Sequence, residues 1–142
     1  MQAVALVLVL LAGLVAPASA LAHATLQSGL WIDTEPRYEQ IMASGRRTLA
    51  GAFGEAGWRT VGVNPANDRP WPEGAAFYDF DQLYGRFDLG YQGPMFSWSA
   101  MPDQFALAAF QRLELTPGHP PVMAEIDLVS SHHPWTPLPA MV

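Results

Sequence analysis

The sequence predicts an α/β fold whose strands lie parallel in one sheet, with helices flanking it. Two helix-to-strand units and one strand-to-loop junction carry that reading. Thr48 is placed to cap a helix running through Ala56, Gly57 stops it, and Trp58 to Val63 then alternates like a strand. Asp103 to Leu115 has helical spacing, with Phe105, Ala108, Ala109 and Leu113 on one stripe, and leads into the strand-like run Val122 to Val129. Helix followed by strand, twice, makes a right-handed crossover between parallel strands the economical connection. The second strand runs into Ser130, Ser131, His132, His133 and Pro134. Ligands of open α/β sheets bind at such strand ends, where the loop can aim side chains into a crevice.

The N-terminal region is apolar. No Asp, Glu, Lys or Arg precedes Asp33, and Pro17, Ala18, Ser19 and Ala20 form the small-residue A-x-A pattern of a signal-peptide end. An uncharged run of roughly 18 residues can also span a bilayer, so a membrane helix from about Ala3 to Leu21 competes with a cleaved leader. Residues 1–20 are therefore expected to be a signal peptide or membrane anchor forming an N-terminal apolar helix, and to place the protein in the cell envelope. A helix from Ala20 to Leu30 should stop near Ser28 and Gly29. Thr34 is placed to cap a short helix, Glu35 to Ala43, with Pro36 tolerated in its first turn. From Asn64 to Pro102 the chain is rich in Pro, Gly, Asp and aromatic residues, and that aromatic content argues for a loop that folds over something rather than a disordered one.

Composition removes several classes of function. The chain has 142 residues, a formal net charge of −6 and seven arginines without a lysine, a poor surface for a phosphate backbone, so nucleic acid is excluded as a partner. Cysteine is absent, which removes disulfides, thiolate metal sites and a cysteine nucleophile. Glu125 and Asp127 alternate with apolar residues and so share one strand face, read as solvated or salt-bridged in preference to a metal-binding or acid–base pair. His23 reads as a polar-edge or core histidine, His119 as a turn residue, and Asp103 as a helix cap after Pro102 in preference to a site contact.

The run TLAGAFGEAGWRTVGV (48–63), then FYDFDQLYG (77–85), then MAEIDLVSSHHPWTPLP (123–139), resembles the sulfatase-like branch of the alkaline phosphatase superfamily, which includes sulfatases, phosphoethanolamine transferases and phosphoglycerol transferases of the lipoteichoic-acid-synthase type. The resemblance covers most of the chain from Leu21 to Pro139. It implies a partial alkaline-phosphatase-like domain over 21–142 and a phosphate- or sulfate-ester substrate. It also implies a divalent metal in the complete enzyme, with Mn, Mg, Ca and Zn not distinguished. Such a metal stabilises the nucleophile as an alkoxide while nearby donors hold the transition-state charge. His132 matches the histidine of the family's His-x-Pro loop, with His133 in the variable position beside it, and both are expected to bind substrate. Counting back from SGLW (28–31) puts Ser19 at the nucleophile position, with Thr25 as the fallback.

The Cys/Ser-x-Pro-x-Arg sequence of true sulfatases is absent, because Ser19 is followed by Ala20, Leu21, Ala22 and His23. The family's early strand with an acidic metal ligand is expected to be replaced by the apolar leader, and the late Asp-His metal pair to fall beyond Val142. The expectation is therefore a fragment of a hydrolase or transferase, inactive alone. The competing reading is a small exported non-enzymatic binding or structural module, with the aromatic region as its recognition surface.

Overall fold

The computed structural model describes residues 5–11, 16–95, 100–130, 136 and 138, with side chains from Ser19 onward. Among the described residues, nine elements follow one another: β1 (Ala5–Leu11), α1 (Ala16–Ser28), α2 (Glu35–Met42), α3 (Leu49–Glu55), β2 (Arg59–Val63), α4 (Pro72–Tyr78), β3 (Gln82–Tyr84), α5 (Asp103–Glu114) and β4 (Val122–Leu128). The strands form one sheet in the order β1-β4-β2-β3, and every pairing is parallel. The expected parallel pairing of the strands near 58–63 and 122–129 is thus present, as β2 beside β4 with Val61 opposite Ala124.

Several local signals act as the sequence reading requires. Gly29 and Gly57 end α1 and α3 with φ of +66° and +83°, a left-handed backbone that glycine adopts without a Cβ clash. The Thr48 hydroxyl accepts from Gly51 N at 3.0 Å and donates to Tyr78 O at 2.8 Å, so one cap also ties α3 to α4. Thr34 occupies the N-cap of α2 without a side-chain cap bond.

The N-terminal run departs from expectation. Residues 5–11 form a strand rather than the first part of an apolar helix, and they pair with β4 from Ala5 opposite Val122 to Leu11 opposite Leu128. A strand ahead of the first helix is therefore present, made from the apolar run expected to replace one. A continuous Val- and Leu-rich run suits a parallel strand covered on both faces as well as it suits a helix, and the paired edge of β4 selects the strand. The helix begins only at Ala16, with Pro17 in its first turn. No helix among the described residues is long and apolar enough to cross a membrane.

The 64–102 stretch also contains more regular structure than its composition suggests, since α4 and β3 both lie in it. The segment Phe80–Tyr84 that supported the family resemblance has a structural role. The Asp81 carboxylate accepts from Thr60 N at 2.7 Å, and Asp81 N donates to the Thr60 hydroxyl at 3.0 Å, pinning the segment before β3 to β2. The Tyr84 hydroxyl donates to Glu114 at 2.6 Å, and Arg59 donates to the same carboxylate at 3.0 and 3.1 Å. Arg59 and the Tyr84 hydroxyl outweigh burial and hold Glu114 below the usual carboxylate range, while burial and the Glu114 carboxylate push Tyr84 up to about 12.

The sheet is covered on both sides. Val61, Val63, Val122, Ala124, Ile126 and Leu128 pack with Ala106, Ala109 and Phe110 of α5, together with Leu89 and Met101. A second cluster joins α1, α2 and α4 through Ala24, Ile32, Ile41, Phe77 and Tyr78. Strand alternation therefore sends Val122, Ala124, Ile126 and Leu128 toward α5, and Met123, Glu125 and Asp127 toward α1.

Candidate functional site

A cleft of about 330 Å³ opens between α1, the carboxyl ends of β2 and β4, and the segment around α4. Its lining includes Ser19 and His23 of α1, Asn64 just after β2, Tyr78 and Phe80 at the end of α4, and Glu125 and Asp127 of β4. Strand ends are where an open parallel sheet offers a crevice, because the chain leaves the sheet there and adjacent connections part.

Two glycines shape the wall. A Cβ on Gly62 would lie 2.6 Å from Leu83 Cδ1 and 3.0 Å from the Phe80 ring, so only glycine lets that segment close against β2. A Cβ on Gly74 would lie 2.3 Å from the Trp71 ring, so the indole lies back over α4 and reaches Tyr78 at 5.5 Å between centroids.

The floor is a buried charge cluster. His23 Nδ1 is hydrogen-bonded to Glu125 Oε1, and its Nε2 is 3.6 Å from Asp127 Oδ1. Burial disfavours the imidazolium, but Asp127 and Glu125 together overcome that cost and raise the His23 pKa to about 9. His23 is therefore cationic at neutral pH, acting as a fixed positive charge rather than as a base. The other Glu125 oxygen accepts from Gln27 Nε2, and Gln27 Oε1 accepts from Ala50 N at 3.0 Å. Glu125 is thus fully engaged by protein donors at 7 % exposure. Asp127 is held more loosely, its Oδ1 facing the His23 ring at 3.6 Å; Tyr38 neighbours the buried Tyr78 hydroxyl, and Asn64 Oδ1 is buried without a hydrogen-bond partner. Burial pushes Tyr78 far above the usual phenol range, so it stays a neutral phenol.

The sequence-derived candidates fall in different places. Ser19 lines the cleft in the first turn of α1, one turn before His23. Thr25 is engaged at the end of the helix, its hydroxyl accepting from Ile32 N at 2.9 Å. His132 and His133 lie outside the described residues. The start of their loop is described, and it gives Asp103, read as a cap, a different role. Asp103 is the first residue of α5, following Pro102 at the N-cap, and its carboxylate accepts from Val129 N at 2.8 Å and Ser130 N at 3.0 Å. It holds the exit from β4. His119 sits in a turn, as expected, with its N–H donating to Thr116 O at 3.0 Å. Glu125 and Asp127 are both ion-paired with His23, Glu125 buried and Asp127 half-buried, and His23 lies 102 residues before Glu125. Nothing local in the sequence marks that meeting, although the i, i+2 carboxylates were visible.

Neither a protein-family model nor a curated protein sequence matches the chain. Solved structures do. The lipoteichoic acid synthase LtaP from Listeria monocytogenes superposes with a TM-score of 0.68 at 18 % identity, over 89 % of this chain and 31 % of that one. The chain has a sulfatase-like fold of the alkaline-phosphatase type, in part. A protein of that superfamily from Vibrio parahaemolyticus superposes with a TM-score of 0.59 at 20 % identity, over 84 % of this chain and 30 % of its own. The chain therefore spans about a third of the length of the superfamily structures it matches. Members of this superfamily generally depend on a metal, but no group of three or more His, Asp or Glu among the described residues could hold one. The two carboxylates that do come together already serve His23, and Glu125 also serves Gln27. The described residues do not fit a divalent ion.

Proposed function

We propose that the chain is a segment of an envelope-associated sulfatase-like hydrolase, or of a phosphoglycerol- or phosphoethanolamine-type transferase, acting on phosphate or sulfate esters and inactive alone. The observation that carries this reading is the cleft at the carboxyl edge of a parallel sheet with this fold, lined by Ser19 in the first turn of α1. Free amide hydrogens and the helix dipole favour an anion at that end of α1. The β4 exit, held by Asp103, leads directly to His132 and His133, the residues assigned to grip the ester's anionic group.

Inactivity of the segment alone has a physical basis. His23, the described histidine nearest Ser19 in the helix, already carries its proton and cannot take one from a serine hydroxyl. Activation of Ser19 then has to come from groups supplied by the rest of the enzyme. Envelope association rests on the charge-free run before Asp33. It requires that run to stay attached, since cleavage after Ala20 removes both β1 and Ser19.

The test is calorimetric titration of inorganic phosphate and glycerol phosphate into the wild-type chain and His132→Ala, with phosphodiesterase and sulfatase assays in Mn²⁺ and Mg²⁺. A charge-assisted hydrogen bond from His132 makes the alanine variant weaker by roughly 1.5–3 kcal/mol. Equal binding by both proteins removes His132 from the site. Robust turnover by the isolated chain overturns its assignment as an incomplete segment.

A further inference from the structure

The run SGLW (28–31) closes α1, and its last two residues take no part in the cleft. Trp31 is 77 % exposed and Leu30 41 %. Single apolar residues on a surface are ordinary, but these two are adjacent and are held out on a fixed turn. Gly29 turns the chain out of the helix with φ of +66°, and Leu30 N donates to the Ser28 hydroxyl at 3.2 Å. Ile32 N then donates to the Thr25 hydroxyl at 2.9 Å, and the Ile32 side chain is buried among α1, α2 and α4. Both ends of the turn are therefore pinned. Between them Leu30 and Trp31 form a knuckle, and among the described residues no ring or guanidinium stacks on the Trp31 indole.

The charge beside the knuckle is positive on a chain of net charge −6. Arg46 Nε donates to Ser28 O at 2.6 Å, and among the described residues no carboxylate pairs with this guanidinium. Asp33, the first acid after the knuckle, is neutralised by Arg37 at 2.8 Å, and Arg47 is taken up by Glu55. Glu35 and Glu39 of α2 have no ion-pair partner among the described residues and limit any attraction to an anionic surface, so the indole and Leu30 supply most of what the knuckle can bind with. Two side chains offer far less than the ~800 Å² per partner of a specific protein interface. A bilayer asks for less. It takes an amphipathic indole at the headgroup level, an aliphatic side chain beside it and a guanidinium that stays at the surface. Ser19 lines the cleft, and the nine residues from there to Ser28 carry α1 about 13 Å along its axis, so the knuckle stands at the far end of the helix.

We propose that Leu30 and Trp31, with Arg46 beside them, are a docking point for a phospholipid bilayer surface. Contact made there leaves the cleft at the other end of α1 open to solvent. The inference rests on the envelope reading above, but on different residues from the uncharged run and from His132, so each can fail alone.

The test is co-sedimentation of the full chain with vesicles of phosphatidylcholine, and of phosphatidylcholine with added phosphatidylserine, for the wild type, Trp31→Ala, Leu30→Ser and Arg46→Gln. Trp31→Ala lowers the partition coefficient about tenfold on both vesicles, the size of burying one large apolar side chain, and Leu30→Ser lowers it by a smaller factor. Arg46→Gln weakens binding about fivefold on the phosphatidylserine vesicles and less on the others. Each variant is first shown folded by thermal denaturation. If Arg46→Gln does not fold, because that guanidinium holds Ser28 O, the two exposed apolar positions decide the matter. The proposal is overturned if the wild type stays in solution, if Trp31→Ala and Leu30→Ser partition like the wild type, or if Trp31→Ala instead abolishes a concentration-dependent dimer, which gives the knuckle to a second copy of the chain. Unchanged phosphate titration in Trp31→Ala separates this surface from the cleft. Failure of the vesicle arms with the chain still recovered in the envelope fraction defeats the knuckle alone, whereas recovery of the wild type in the cytosolic fraction defeats the envelope reading.

Discussion

On one face of β4, Val122, Ala124, Ile126 and Leu128 meet apolar side chains of β2 and α5; on the other, Glu125 and Asp127 meet the imidazolium of His23 and the amide of Gln27. The two faces alternate residue by residue and are buried to nearly the same degree. Their stability has different origins. The α5 face is held by area removed from water, which is non-directional and forgives a change of shape. The α1 face is held by pairing, in which each charge is tolerable only because a named partner stands opposite. Losing a methyl group on the first face leaves a small void, whereas losing a partner on the second strands a charge.

That contrast is broken most severely by Glu125→Ala, which leaves the His23 charge and the Gln27 amide without their acceptor. Urea denaturation is expected to show a loss of about 3–5 kcal/mol, with much of it recovered in the double variant His23→Leu with Glu125→Leu. A loss below about 1 kcal/mol for the single variant, the range of exposed pairs, would mean that the pair behaves as a surface ion pair.

The next effect is pH dependence confined to the polar face. Because the folded-state pKa of His23 is raised from 6.5 to about 9, its contribution is fully present below about pH 6.5 and disappears as pH rises to about 9. Stability should fall across that window by an amount on the order of 3 kcal/mol. Denaturation near pH 6 and near pH 10 measures it, and His23→Gln should flatten the profile. An unchanged slope in that variant would assign the dependence to another group.

The smallest effect sharpens the comparison from the apolar side. Ile126→Val removes one buried methylene and should cost about 0.5–1.5 kcal/mol, with the wild-type pH profile intact. A change of profile in this variant would show that the two faces are coupled through the strand.

The alternation in MAEIDLV made Glu125 and Asp127 legible as neighbours on one strand face, and the split of β4 into two faces follows from that period alone. Burial was not legible, because it depends on α1 lying over those carboxylates with His23 102 residues earlier in the chain. Residues 72–84 were opaque for a different reason. A seven-residue helix opened by Pro72 and a three-residue strand are too short for a period to emerge from a run dense in Pro, Gly and aromatic residues. Asp103 stands at a helix start, where a cap is the local expectation, yet its carboxylate serves Val129 and Ser130 on a different element.

The sequence by itself determined the helix-to-strand order around β2 and β4 and the stops at Gly29 and Gly57, because periodicity and backbone sterics act within a few residues. Only the tertiary structure decided that residues 5–11 are a strand, since an apolar run satisfies a buried strand and an apolar helix equally until an open edge of β4 is there to receive it. It alone decided, too, that Asn64, Tyr78 and Asp127 face one cleft: three residues far apart in sequence become neighbours only when the β1-β4-β2-β3 order sets which strand ends lie side by side.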